Sequence, residues 1–238
     1  MCQAVKELVK AILGRVGYEL RSIQPTASEK LGYRLFHYRN SDGSFDYKKY
    51  RKIQQEGNLR KIENTWVIEG NIKFLSDYLA KSLGSVSFGI CHGTRRGNEQ
   101  KWFREHLSCE VIGTEISESA TEFPHTIQWD FHEENPEWNG KADFIYSNSF
   151  DHSYDPEACL NTWIKALKVG GFCILEHSNL HAPEEASELD PFGAEIEIMP
   201  YLITKWSKGC FFVREILEAP EKSPVLKSLQ FLVIERRK

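Results

Sequence analysis

The chain has 238 residues, a formal net charge of −4, 41% hydrophobic residues and 12% aromatics. Such a length and apolar content suit one α/β domain with an N-terminal extension, and the mild acidity excludes a general electrostatic pull toward nucleic acid or anionic membrane. No apolar run approaches the roughly 20 residues of a membrane span. Charges every few positions near the start argue against a signal peptide. The six cysteines (Cys2, Cys91, Cys109, Cys159, Cys173 and Cys210) form no CxxC pair. The expectation is a reducing, cytoplasmic protein without a zinc site.

In chain order, Val5, Leu8, Val9, Ile12, Leu13 and Val16 fall on one helical face of residues 3–16. That face suits packing on the chain's own domain, a homodimer contact or a membrane surface, and three basic residues are too few for firm membrane attachment. Residues 21–66 are polar and aromatic, with a turn at Asn40-Ser41-Asp42-Gly43-Ser44 and a helix expected over 45–56. They read equally well as a lid or as a structural cap. A further helix, over 69–82, carries Ile72, Leu75, Tyr78 and Leu79 and ends at Gly84. Residues 1–83 thus read as a helical extension and 84–238 as the main domain.

Val86–Ile90 reads as a buried strand running into a loop that holds Gly93 and Gly97. A helix containing Trp102, Phe103 and Leu107 follows, then a strand over 109–115 that ends on Glu115. This strand, glycine loop, helix and strand-end carboxylate form the first βαβ unit of a nucleotide-binding fold, in which glycines admit a ligand to the backbone and the carboxylate accepts bonds from ribose hydroxyls. A short helix over 117–121 leads to a third strand, 126–131, which carries Asp130. Ala142–Ser147 is the fourth strand. Asp155-Pro156 opens the next helix with an Asp cap and a first-turn Pro. Gly170-Gly171 stops that helix before a fifth strand, 172–176. A long loop (179–194) and a helix near 196–207 precede two strands, 210–217 and 230–235, with no helix between them, which suggests an antiparallel pair at one sheet edge. The architecture expected is an α/β, Rossmann-like, doubly wound and mostly parallel seven-stranded sheet with an antiparallel C-terminal pair.

Three segments in this order carry a resemblance. Ile90-Cys91-His92-Gly93-Thr94-Arg95 lies where class I S-adenosylmethionine-dependent methyltransferases have Ile-Gly-Cys-Gly-Thr-Gly. Phe150-Asp151-His152-Ser153-Tyr154-Asp155-Pro156 is similar to their Leu-Glu-His-Val-Pro-Asp-Pro, and Leu167-Lys168-Val169-Gly170-Gly171 to their Leu-Lys-Pro-Gly-Gly. The chain therefore resembles that superfamily over roughly 84–178. The resemblance implies S-adenosylmethionine as cofactor, with Cys91, His92, Gly93 and Thr94 along its methionine part. Glu115 and the neighbouring Ile116 would lie at the ribose, Asp130 and Phe131 at the adenine, and Ser147 and Asn148 beneath the sulfonium. The loop departs from the pattern at Cys91 and Arg95, and Gly89 or Phe88 occupies the neighbourhood of the usual acidic residue. Either another carboxylate, such as Glu99, supplies that charge, or cofactor binding is weakened or lost. Arg95 and Arg96 would pair with the cofactor carboxylate, pair with an anionic substrate, or simply face solvent.

Methyl transfer from a sulfonium is an in-line displacement that depends on alignment, and a hydroxyl acceptor also needs a base. His152 is the first candidate for that base, with Asp151 or Asp155 to orient it, and His177 is the second. Glu176, His177 and His181 invite a metal reading, with Asp151 or His152 added, but the segment leaves a strand for a loop and no metal is expected. Asp190-Pro191-Phe192-Gly193 forms a turn in the region that, by the resemblance, shapes the acceptor pocket. The function expected is O-methylation of a small molecule or a glycan, the glycan suggested by resemblance to methyltransferases of polysaccharide gene clusters. A methyltransferase-like module without catalysis and a nicotinamide-dependent oxidoreductase are the alternatives.

Overall fold

A computed structural model describes residues 27–238, so the helix expected over 3–16 lies outside the described residues. The order is α1 (Ala27–Lys30), β1 (Tyr33–Leu35), α2 (Tyr47–Arg60), α3 (Glu69–Leu83), β2 (Phe88–His92), α4 (Asn98–Leu107), β3 (Glu110–Glu115), β4 (Thr126–Gln128), β5 (Ala142–Ser147), α5 (Pro156–Ala166), β6 (Leu167–Ser178), β7 (Phe192–Ala194), α6 (Met199–Ser207), β8 (Phe211–Glu218) and β9 (Leu229–Arg236). Seven strands form one sheet in the order β4-β3-β2-β5-β6-β9-β8. The strands from β4 to β6 run parallel, and β9 runs antiparallel to both of its neighbours. The fold is the Rossmann-like one expected.

Alternation along the strands explains why both faces are covered. Ile90, Ile145, Cys173, Leu175, Leu232 and Ile234 face α5 and α6, where they pack with Leu160, Trp163, Leu202 and Ile203. Cys91, Phe144, Tyr146, Phe172, Ile174, Phe231 and Val233 face the other way, onto Ile72, Leu75 and Leu79 of α3 and Phe103 of α4. Helix α3 therefore belongs to the sheet's own core, although it falls within the 1–83 extension of the sequence reading.

The course of the chain differs from expectation at five places. Strand β2 starts at Phe88, because the Asp143 carboxylate takes the Ser87 and Phe88 amides at 2.8 and 3.0 Å ahead of the ladder. Strand β4 stops at Gln128, and Asp130 sits in the following loop, where it accepts from its own neighbour His132. Helix α2 runs on to Arg60, and α5 ends at Ala166, before Gly170-Gly171. The loop over 179–194 contains β7, which pairs antiparallel with β1 (Leu35 opposite Phe192) and ties the N-terminal segment to the main sheet's carboxyl edge.

Candidate active site

Chain order reverses between β2 and β5, which lie side by side. One leads outward to β3 and the other to β6, and a crevice opens above their carboxyl ends. After β2 the chain turns at Gly93, whose φ of +74° suits glycine, and the Gly93 and Thr94 amides both donate to the Thr114 carbonyl. A Cβ on Gly93 would stand 2.6 Å from the Ser149 Cβ, so the loops after β2 and β5 touch across the crevice.

Two contiguous cavities fill it. The smaller, about 50 Å³, is lined by Glu115, Ile116, Asp130 and Phe131 beneath Tyr50, Gln54, Gly57 and Asn58 of α2. The larger, about 160 Å³, is lined by Thr94, Arg95, Glu99, Asn148, Asp151, His152, Glu176, His181 and Asp190, with residues 64–67 on its outer wall. Gly93, Arg95, Ser149 and His152 border both.

Of the expected cofactor residues, Gly93, Thr94, Glu115, Ile116, Asp130, Phe131 and Asn148 meet in this crevice, and Cys91, His92 and Ser147 do not line it. The strand period sends Cys91 into the core under α3 and α4, where burial holds its thiol far above the usual range. The same period turns His92 to the opposite face. There it stacks on Trp163 at 4.5 Å and its Nδ1 lies 2.8 Å from Thr114 Oγ1. Burial, with His132 nearby, lowers its pKa to about 3 and keeps it neutral. Ser147 donates to the His92 carbonyl and accepts from the Ser149 amide, joining the ends of β2 and β5 from below.

Glu115 organises the loop as well as the cavity. Oε2 accepts from the Arg95 amide at 3.1 Å and Oε1 from the Ser117 amide at 3.0 Å. Asp130 accepts from His132 Nδ1 at 2.8 Å and from the Tyr47 hydroxyl at 2.9 Å. Burial pushes its pKa up, but the His132 and Tyr47 bonds outweigh this and hold the carboxyl below the ordinary range. His132 Nε2 lies 2.9 Å from Ser153 Oγ, so Asp130, His132 and Ser153 have the order of a hydrolytic triad. Ser153 is fully buried and lines neither cavity, which makes the chain of bonds a clamp between β4 and α5.

At the other end of the crevice, His152 Nδ1 lies 2.8 Å from Gln54 Oε1 and 3.0 Å from the Leu189 carbonyl. Both neighbours are acceptors, so Nδ1 carries a hydrogen, and Nε2 lies 3.5 Å from Asp190 Oδ1. Asp151 lies 3.8 Å from His181 through Oδ2, and its buried Oδ1 has no partner among the described residues. One ligand-type atom from each of Asp151, His152 and Asp190 falls within 4.8 Å of the others, so these side chains converge where Glu176, His177 and His181 do not. His177, the second candidate base, turns away from the cleft. Its Nε2 donates to the Ala194 carbonyl at 2.9 Å, anchoring β7, and burial lowers its pKa to about 4. Glu176 does face the cleft. It accepts from the buried Tyr146 hydroxyl at 2.6 Å, and burial raises its pKa to about 7.

The segment that reads as a lid or a cap supplies a roof whose residues are absent from the expected site: Tyr47, Tyr50, Gln54, Gly57 and Asn58. Tyr50, Gln54, Gly57 and Asn58 are the buried residues of α2, an unusually polar set for a face turned inward. Their spacing is helical, and a polar stripe at that spacing is the signal of a helix covering a site.

No family model matches the chain, and no curated protein matches it. Solved structures do. The 1,6-didemethyltoxoflavin-N1-methyltransferase of Burkholderia thailandensis is similar over 82% of this chain and 92% of its own, with a TM-score of 0.61 and 13% identity. The plantazolicin methyltransferase BpumL is similar over 80% and 96%, with a TM-score of 0.61 and 10% identity. The N-methyltransferase NodS from Bradyrhizobium japonicum is similar over 77% and 98%, with a TM-score of 0.57 and 14% identity. All three were solved with S-adenosylhomocysteine. The chain has the class I S-adenosylmethionine-dependent methyltransferase fold.

Proposed function

We propose that the protein is an S-adenosylmethionine-dependent methyltransferase acting on a hydroxyl of a small molecule or a glycan unit. One observation carries the reading. Carboxylates at the end of β3 and just after β4 border a cavity that opens at the switch point into a second cleft, and His152 borders both. The residues fit the cofactor chemically. Glu115 and Asp130 can accept from ribose and adenine donors, since each carboxylate oxygen has two acceptor sites. Thr94 and Glu99 line the larger cavity, and their buried Oγ1 and Oε2 lack partners among the described residues. The cofactor supplies a sulfonium methyl group, and the chain's own groups orient the acceptor and exclude water.

His152 is the base in this reading. Leu189 and Gln54 hold the Nδ1 hydrogen, which leaves Nε2 as the nitrogen to take the acceptor's proton, and Asp190, 3.5 Å from it, faces the imidazolium that results. Asp151 and Asn148 border the same space and would position the acceptor. Replacing His152 with Ala lowers turnover by about 10²–10⁴-fold with little change in cofactor affinity. Equal turnover in that variant removes the base. Calorimetry tests the reading as a whole: micromolar binding of S-adenosylmethionine and S-adenosylhomocysteine is expected, with none of NAD.

A second reading, a partner-binding module without catalysis, is favoured by one feature. Both Glu115 oxygens already accept from backbone amides while α2 closes the small cavity. Absence of binding by all three ligands supports it.

A further inference from the structure

Position 89 of β2, near where related loops carry an acid, has no room for one. A Cβ there would stand 2.3 Å from the Phe144 ring, whose packing fills the space. The charge, if the site has one, comes from elsewhere in the loop.

Three residues of the segment 94–99 line the larger cavity, and each carries a buried polar atom with no partner among the described residues: Thr94 Oγ1, Arg95 Nε and Glu99 Oε2. Glu99 is 6% exposed and Thr94 2%. A buried carboxyl oxygen and a buried guanidinium nitrogen left without partners in one loop each cost free energy that a ligand satisfying both would recover. A ligand that does so carries a cation and an anion a few bonds apart, which describes an α-amino acid end. We infer that Glu99 takes the ammonium and Arg95 the carboxylate of the cofactor's amino-acid end, with the Thr94 hydroxyl beside them. The inference rests on the methyltransferase reading above.

The surroundings agree with this assignment. Glu99 lies in the first turn of α4, where the helix dipole favours negative charge. Arg95 has a φ of +43°, and its amide donates to Glu115 while its guanidinium donates to the Asn64 carbonyl at 3.0 Å. The loop is thereby fastened at both ends of that residue, while its buried Nε has no partner among the described residues. Without a cation, burial with Glu176 and Glu115 nearby raises the Glu99 pKa to about 8. An ammonium beside it favours the ionised form, so ligand binding near neutral pH expels the Glu99 proton to solvent.

The test compares two ligands on the full chain by calorimetry. S-adenosylhomocysteine carries the amino-acid end, and 5′-methylthioadenosine keeps the adenosine and sulfur but lacks it. Glu99→Gln is expected to weaken S-adenosylhomocysteine about 10- to 100-fold and to leave 5′-methylthioadenosine within about twofold. Arg95→Gln, which keeps the backbone bond to Glu115, gives the same pattern. Titrations in two buffers of different ionisation enthalpy near pH 7 show proton release on S-adenosylhomocysteine binding in the wild type and none in Glu99→Gln. Unchanged S-adenosylhomocysteine affinity in both variants overturns the inference, as does equal weakening of both ligands. If the unaltered chain binds neither ligand, the methyltransferase reading itself falls and takes the inference with it.

Discussion

At the scale of single residues, the account turns on Glu115. Its carboxylate lies in the small cavity, so Glu115→Ala is expected to weaken S-adenosylhomocysteine binding by about 1–3 kcal/mol through loss of charge-assisted hydrogen bonds. The same change frees the Arg95 and Ser117 amides, so a lower melting temperature accompanies the affinity loss. Glu115→Gln separates the effects, because its amide oxygen still accepts from one backbone donor. Unchanged ligand affinity in the Ala variant takes Glu115 out of the site. Glu115 stands out in the sequence because a carboxylate at a strand end has few structural reasons to be there, and Asp130 lies two residues beyond the end of β4, close to where the sequence places it. That Cys91 and His92 turn from the crevice is not legible, because placing β2 two residues early hides which way its last side chains point, while Ser147, on a correctly placed β5, is taken up by the His92 carbonyl and the Ser149 amide. Once the strand is known to run to His92, its period of two sends Cys91 into one core and His92 into the other.

At the scale of elements, α2 decides how closed the site is. Tyr47 reaches Asp130, Tyr50 reaches the His152 carbonyl, Gln54 reaches Leu189 and Gln55 reaches the Ile116 carbonyl, so one helix bridges the loops after β3, β4, β5 and β6. Its inward face is polar and holds through such bonds and through the ring contacts of Tyr50 with Tyr38 and Tyr154. Removing the buried Tyr50 ring (Tyr50→Ala) is expected to cost about 3–5 kcal/mol. The loss appears as faster hydrogen exchange over 47–60 while β5 and β6 stay protected. Uniform acceleration across the sheet would show that α2 is part of the core and no separate cover. A reader of the sequence sees this helix but not its place. Its partners stand from about 60 to 135 residues away, and the three-residue pairing of β1 with β7 that fixes the segment is too short to carry a pattern.

At the scale of the molecule, the parallel sheet, its switch point and the antiparallel β9 follow from long apolar alternations, which is why the architecture is legible when the cover is not. Burial of ionisable groups beneath that sheet also shapes its pH response. His92 and His177 have pKa values lowered to about 3 and 4, so below the unfolded value of 6.5 the unfolded chain binds protons that the native chain refuses. Stability then falls as pH drops from about 6.5 toward 4, by up to about 1.4 kcal/mol per pH unit for each group. Glu99 and Glu176 act in the opposite sense. Their pKa values are raised to about 8 and 7 against 4.5 unfolded, so the native chain holds protons that the unfolded chain has lost, and stability declines as pH rises through that window. Thermal denaturation from pH 4 to 9 should show both limbs, and Glu99→Gln should flatten the alkaline one. An alkaline limb unchanged in that variant would mean that Glu99 is ionised without a ligand.

The most direct test of the central claim is a crystal structure of the protein grown with excess S-adenosylhomocysteine. The account predicts adenosine between Glu115 and Asp130 beneath α2, the amino-acid end against Arg95 and Glu99, and the sulfur facing the cleft that His152 borders. A ligand bound away from the β2–β5 crevice, or a crevice still closed by α2 at saturating ligand, would contradict it.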